Sequence, residues 1–318
     1  MSNQTKKEVY IRVIDIGGNG FRRGNVYGKE VDEKSIAVMP IEKIKIKERR
    51  RALSQLKEFA WAGVTSKTEA IVYSVAGVIE NHDKIKISPN ARFLDGLKLA
   101  SLTFTETSLP SCVVNDMEAG VFGMAALLPH EKYFMGITWS SGIGARVWVD
   151  EHILFPSEVG HMVLDSSLNA PICGCGKRGH AEAIIGGDAI KHQVKVETKK
   201  LGIKMPDNMH PCAFLDQEYQ NGKKWAVDMY ETIGLKMGIF LANIQTCFCL
   251  PLIVWKGKFA LKALKLKGFK SCIRKAMKGV LIDSNWASPK KLRFRFTPGF
   301  NDKDAMIGAA KVFRTLKS

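Results

Sequence analysis

The sequence predicts an α/β protein built as two domains. Segments that read as strand, polar or glycine turn, and helix alternate on both sides of the middle of the chain. The 318 residues exceed the length at which a single hydrophobic core normally stops growing. A hydrophobic content of 46% is enough to bury a sizeable core.

The chain opens with EVYIRVIDIGG, a β-rich run closed by glycines, followed by FRRGNVYG and SIAVMPI, so a three-stranded antiparallel start is expected. A basic helical pattern covers Leu53 to Trp61. Then come the apolar strand AIVYSVAG, a turn at ENHD, and a short strand KIKIS stopped by Pro89. SCVVNDMEAGVFGMAALL reads as strand, polar turn and helix, and KYFMGITWSSGIGARVWV as two strands about a glycine turn. Gly238 to Trp255 carries no charge, but Asn243, Gln245 and Pro251 interrupt it, so it reads as a buried helix turning into the buried strand of LPLIVWKGK rather than a membrane span. No strict repeat or low-complexity linker is visible, and the domain boundary is placed near Asn115.

Seven cysteines, thinly spread, argue for reduced thiols or metal ligands rather than a disulfide framework. MSNQTKKEVYIRV lacks the apolar stretch of a signal peptide, so a cytoplasmic location is expected. The net charge of +17 is concentrated in EKIKIKERRRALSQLKEF and in KGKFALKALKLKGFKSCIRKAMK, the second of which contains no carboxylate. Neither stretch interleaves aromatics or matches a groove-reading motif, so solvated helix faces are expected, with no specific nucleic-acid partner.

Three junctions carry chemistry. In DIGGNG, Gly17, Gly18 and Gly20 remove side chains beside Asp15, where main-chain N–H groups could face phosphate oxygens and Asp15 could hold hydrated magnesium; a hairpin turn with positive φ explains the same glycines. SSGIG, residues 140 to 144, is a second small-residue turn. In VVNDMEAG, Asp116 ends a strand and begins a helix, as a catalytic carboxylate or as an N-cap. Between Glu158 and Ala183 stand four N/S ligand candidates within twenty residues, His161, Cys173, Cys175 and His180.

Taken in order, these junctions resemble the ROK family (repressors, open reading frames, sugar kinases) of the actin and hexokinase superfamily, over nearly the whole chain. The family's Asp-x-Gly-Gly-Thr stands as Asp15, Ile16, Gly17, Gly18 and Asn19; its Asn-Asp-x-x-Ala as Asn115, Asp116, Met117, Glu118 and Ala119; its Gly-Thr-Gly-Ile-Gly as Ser140, Ser141, Gly142, Ile143 and Gly144. Its Glu-x-Gly-His is Glu158, Val159, Gly160, His161, and its Cys-x-Cys-Gly-x-x-Gly-Cys-x-Glu is met by Cys173, Cys175, Gly176, Gly179, His180 and Glu182.

The resemblance implies a two-domain actin/hexokinase-like (ribonuclease H-like) fold with the active site in the interdomain cleft. The domains would be 1–115, completed by a C-terminal helix in 300–318, and 116–299. It implies phosphoryl transfer from ATP or another nucleotide, with Mg2+, to a hexose or amino sugar in a homodimer without membrane association. Asp116 matches the general base. Gly77, Asn90, Asn115, Glu158, His161 and Glu182 match sugar-binding positions. Asp15, Gly17, Gly18, Asn19, Ser141, Gly142 and Gly257 match the nucleotide side. His161, Cys173, Cys175 and His180 would hold a structural Zn2+, which as a closed four-ligand site argues against a zinc hydrolase.

Several positions depart from the family pattern. Asn19 replaces threonine, Ser140 and Ser141 replace Gly-Thr, His180 replaces a third cysteine, and Trp255, Lys256, Gly257 and Lys258 stand where the adenosine-side strand usually ends in three glycines. The alternative reading is therefore a sugar-binding regulatory protein of the family with weakened or lost kinase activity. Because the chain begins almost directly with the first strand, a DNA-binding repressor of the usual kind is not expected.

Overall fold

The computed structural model describes residues 9–17, 20–44, 47–154, 157–281, 292–296 and 302–317. The chain divides into two compact units, Met1–His130 with Gly299–Ser318, and Glu131–Pro298.

In the first unit, β1 (Tyr10–Gly17), β2 (Gly20–Tyr27) and β3 (Glu30–Pro40) form an antiparallel meander, the third strand starting five residues before the expected SIAVMPI run. Helix α1 (Arg49–Trp61) buries Ala52, Leu56, Phe59 and Ala60 at helical spacing and turns its arginines to solvent. Strand β4 (Thr68–Val75) then adds to β1 in parallel. The hairpin of β5 (Val78–Glu80) and β6 (Lys84–Ile87) turns at ENHD, as the sequence predicts. Helix α2 (Leu99–Thr107) leads to β7 (Ser111–Asn115), which closes the sheet order β3-β2-β1-β4-β7. One face of this sheet packs with α1 around Phe21, Leu56, Phe59, Tyr73 and Phe93.

Helix α3 (Asp116–Leu127) follows β7 directly. It packs along the C-terminal helix, Asp302–Lys317, and a Cβ on Gly308 would overlap the Ala119 carbonyl, so the two helices meet backbone to backbone. That contact carries α3 into the first unit, and the division falls after His130 rather than at Asn115.

The second unit repeats the topology. Strands β8 (Tyr133–Trp139), β9 (Ile143–Val149) and β10 (His152–Ile153) are antiparallel neighbours. Helices α4 (Ala181–Ile185), α5 (Gly187–Lys200), α6 (Pro211–Gln220) and α7 (Lys224–Phe248) come next. Strand β11 (Leu252–Lys256) joins β8 in parallel, α8 (Lys258–Ala263) and α9 (Phe269–Val280) cross over, and β12 (Arg293–Phe296) pairs with β11 in parallel. The order β10-β9-β8-β11-β12 matches that of the first sheet strand for strand. The uncharged run ending at Trp255 is the end of α7 followed by β11, and among the described residues no helix is long and apolar enough to cross a membrane.

Candidate active site and metal centre

In the first unit the candidate residues cluster at the ends of three strands. Asp15, near the end of β1, lies beside Ser74 of β4 in the parallel register, and Ser74 Oγ donates to its Oδ1 at 3.1 Å. Gly17 pairs with Gly20 across the β1–β2 hairpin, and among the described residues nothing lies within 4 Å of where a Gly17 Cβ would stand, so the backbone beside Asp15 is open to an approaching group. Gly18 and Asn19 lie outside the described residues.

Beyond β4, Gly77 has φ +149°, and a Cβ there would overlap the Ile87 carbonyl, so the turn requires glycine. Its carbonyl accepts from Asn115 Nδ2 at 2.9 Å. Asn115 Oδ1 in turn accepts from the Met117 and Glu118 backbone N–H groups at 2.9 and 3.2 Å. The N-cap is thus Asn115. Asp116 is the first helical residue, its Oδ1 accepting from the Met117 N–H at 2.9 Å. Asn90 is exposed in the turn after β6, where the buried Ser88 donates to the Ala76 carbonyl at 2.9 Å and holds the turn next to Gly77.

In the second unit the β8–β9 hairpin is the centre. The carbonyls of Ser140 and Ser141 accept from the Gly187 and Asp188 N–H groups at the start of α5, at 2.8 and 2.9 Å. Glu182 Oε2 accepts from the Ile143 N–H at 3.0 Å, passing where a Gly142 side chain would be. Gly160 has no room for a Cβ against the Ile143 carbonyl, which brings the Glu158–His161 segment against the same hairpin. Glu158 is 57% exposed, and Arg146, itself buried, donates from Nη2 to its Oε1 at 3.1 Å. Gly257 sits at φ +106°, with its backbone against the Trp139 carbonyl at the end of β8. Ser141, Gly142, Glu158, Glu182 and Gly257 therefore share one end of the sheet.

Trp255 is a correction to the altered adenosine-side loop. Its side chain is fully buried among Trp139 and Phe294, with ring centroids 6.0 and 5.7 Å away, because β11 is buried along its length and only its last residue leaves the core. Lys256 and Lys258 alone flank Gly257 at the junction, the first half-buried and the second exposed.

His161, Cys173, Cys175 and His180 come together with their ligand atoms all within 4.8 Å of one another. His161 Nδ1 and His180 Nδ1 are 3.3 Å apart, Cys173 Sγ is 3.5 Å from His161 Nδ1, and Cys175 Sγ is 3.3 Å from His180 Nδ1. A tetrahedral zinc with ordinary bond lengths separates two nitrogens by about 3.3 Å and a sulfur from a nitrogen by about 3.6 Å, so the donor set fits that ion. The turn is tied by Cys173 N–H to the Lys177 carbonyl at 2.7 Å and by Leu164 N–H to the Gly179 carbonyl at 2.7 Å. Burial pushes the Cys173 thiol above its ordinary range, and a bound cation would offset that cost by favouring the thiolate.

Two residues that order these sites escape a sequence motif search, Ser74 beside Asp15 and Arg146 beneath Glu158. Their signal is a polar residue within an apolar strand, YSV and ARV. A buried hydroxyl or guanidinium there needs a partner.

A sequence model of the ROK family matches residues 13–315. The chain belongs to the ROK family. N-acetylmannosamine kinase from Haemophilus influenzae is 27% identical over 186 residues, 56% of this chain and 60% of that protein, so the match spans less than two thirds of the relative. The crystal structure of a ROK family glucokinase from Streptomyces griseus in complex with glucose and AMPPNP superposes with a TM-score of 0.72 at 20% identity, covering 96% of this chain and 99% of that one. A ROK family transcriptional regulator, a homologue of the E. coli MLC protein, superposes with a TM-score of 0.77 at 19% identity, covering 97% of this chain and 78% of that one. The fold of this ROK chain is the actin/hexokinase-like α/β fold of those neighbours.

Proposed function

We propose that the chain transfers the terminal phosphoryl group of ATP, or of another nucleotide, to a hydroxyl of a hexose or amino sugar. The observation that carries the reading is the β7–α3 junction. Asn115 is held by the Gly77 carbonyl and caps the helix, which fixes Asp116 beside it, in a chain whose family match runs from residue 13 to 315. The Haemophilus influenzae relative, an N-acetylmannosamine kinase, supports the same reaction class.

In this mechanism the Asp116 carboxylate accepts the proton of the attacking sugar hydroxyl. The hydroxyl oxygen bonds to the terminal phosphorus as the bond to the bridging oxygen breaks, and the nucleoside diphosphate leaves. Asn115, Gly77 and Asn90 bind the sugar from the first unit. Glu158, His161 and Glu182 bind its hydroxyls from the second. Asp15 and Gly17, and Ser141, Gly142 and Gly257, are assigned to nucleotide binding; Gly18 and Asn19, outside the described residues, join them by their place in the family motif alone. Magnesium bound with the nucleotide supplies positive charge to the phosphate oxygens, and Asp15 is the residue that would hold it through water. His161, Cys173, Cys175 and His180 would hold a structural zinc, and together they fix the segments that carry Glu158 and Glu182.

A second reading, a sugar-binding regulatory protein, is favoured by one feature: two lysines flank the single Gly257 at the β11–α8 junction, so backbone is less free to meet a nucleotide. A coupled assay of nucleotide consumption over a panel of hexoses and amino sugars, paired with calorimetry of each sugar, separates the two. Turnover on the order of 1 to 1,000 per second supports the kinase. Sugar binding without turnover by any nucleotide supports the regulator.

A further inference from the structure

Arg146 is a charged residue inside an apolar strand. In β9, Ile143, Ala145 and Val147 turn into the core of the second unit, so Arg146 lies on the opposite face of the sheet. Its partner across the β8–β9 pair is Gly136, which has no side chain to compete for the space. The Arg146 side chain is only 5% exposed, and its guanidinium fork reaches the segment that follows β10. Nη1 donates to the Ala145 carbonyl at 3.0 Å and to the Ser157 carbonyl, and Nη2 donates to Glu158 Oε1 at 3.1 Å. The carbonyls carry no net charge; Glu158 does, and it pairs with the buried cation.

Glu158 and Glu182 share this end of the sheet, and each is anchored through one carboxylate oxygen, but the anchors differ. Glu182 Oε2 accepts from the neutral Ile143 N–H, which adds no charge, whereas Glu158 Oε1 accepts from a cation. Among the described residues no partner meets Glu158 Oε2, and the side chain is more than half exposed. Glu158 therefore offers one oriented acceptor oxygen with much of its charge cancelled from behind.

We propose that Arg146 is a specificity-determining residue: by cancelling the charge of Glu158 and holding one of its oxygens, it suits this part of the site to uncharged hexoses and N-acylated amino sugars rather than to sugars that carry a free ammonium. A hydroxyl or amide N–H needs only the oriented acceptor, Oε2. An ammonium gains from net negative charge, and the ion pair with Arg146 removes that gain. The planar fork explains why the residue is an arginine, since one group spans a main-chain carbonyl and the carboxylate together. The inference rests on the sugar reading of Glu158 and narrows it to a substrate class.

The test is calorimetric titration of the full chain, at mildly acidic pH where a sugar amine is protonated, with sets of hexose, 2-amino and 2-acetamido sugar in the gluco, manno and galacto series. The quantity read is the affinity for the 2-amino sugar relative to the tighter neutral member of its set. In Arg146→Met this ratio should rise by at least about fivefold, a figure that allows for solvent screening at an exposed carboxylate. Arg146→Lys keeps the charge without the fork, so its affinities should fall for all three sugars while the ratio stays at the wild-type value. Glu158→Gln keeps an acceptor for Arg146 and leaves the cation unbalanced, so there the ratio should drop by a similar factor; this arm holds even where Arg146→Met does not fold. A purely structural Arg146 would lower all affinities together. Sugar binding by the wild type with an unchanged ratio in Glu158→Gln, or in a folded Arg146→Met, would overturn the inference alone. No binding of any of these sugars by the wild type would overturn the sugar reading and the inference with it.

Discussion

Asn115 Nδ2 donates to the Gly77 carbonyl at 2.9 Å while Asn115 Oδ1 caps the first turn of α3. One side chain thereby ties the turn after β4 to the helix that begins with Asp116. Asn115→Ala removes the cap and leaves that turn without its link. Chemical denaturation should show a loss of about 1 to 2 kcal/mol, the usual cost of an N-cap deletion. A variant as stable as the wild type would remove this role.

A second prediction concerns acid and the Asp216 carboxyl. Burial raises it above its ordinary value, against the lowering effects of the Tyr230 hydrogen bond and the Lys262 and His210 charges. The folded state therefore holds this proton to higher pH than the unfolded state does. The favourable contribution is complete below the unfolded value and is lost as pH rises through the folded one. Asp216→Asn keeps a partner for Tyr230 and carries no charge. Its stability relative to wild type should rise from about pH 4 upward and then level off, as read from denaturation midpoints over a pH series. A constant difference across that range would contradict the assignment.

The metal centre predicts about one zinc per chain in purified protein. Cys175 is exposed, so Cys175→Ser disturbs no packing, and a surface substitution of that kind alone changes stability by within about 0.5 kcal/mol. Loss of the metal by elemental analysis, with a fall in stability well beyond that figure, is the expected outcome. A zinc-free wild type, or a variant that retains the metal, would rule out the four-ligand centre.

Gly257 tests the β11–α8 junction. Gly257→Ala must place a Cβ against the Trp139 carbonyl at φ +106°, and a loss of about 1 to 3 kcal/mol is expected. Lys256→Gly with Lys258→Gly should instead preserve the fold and change which nucleotide is preferred, leaving sugar affinity unchanged in calorimetry. A shift of sugar affinity as large as the change in nucleotide preference would displace this junction from the nucleotide side.

Much of this was legible in the sequence, and the failures have physical causes. The VVNDMEAG junction reads as strand, cap and helix because its apolar period changes at a pair of capping residues. Which of the pair caps is not legible, since Asn and Asp both accept from N–H groups; the structure selects Asn115. The unit boundary missed by one helix because α3 is fixed by a helix some 180 residues later in the chain, a contact that no local pattern announces. Trp255 reads both as the end of a buried strand and as a side chain at the adenosine-side glycines; only the first holds, because the strand continues to Lys256 and takes Trp255 into the core. The repeated sheet order lies in backbone topology and leaves no repeat in the residues. The Cys and His cluster was the clearest signal, because four residues of two uncommon ligand types within twenty residues do converge.

The central claim is that Asp116 is the base of a sugar kinase, and sugar-dependent nucleotide consumption by wild type and Asp116→Asn, with sugar affinity measured on both, tests it most directly. The amide keeps the size of the side chain but cannot accept the proton. Turnover should fall by about 100-fold to 10,000-fold with sugar affinity nearly unchanged. Equal turnover in the two proteins would contradict the account.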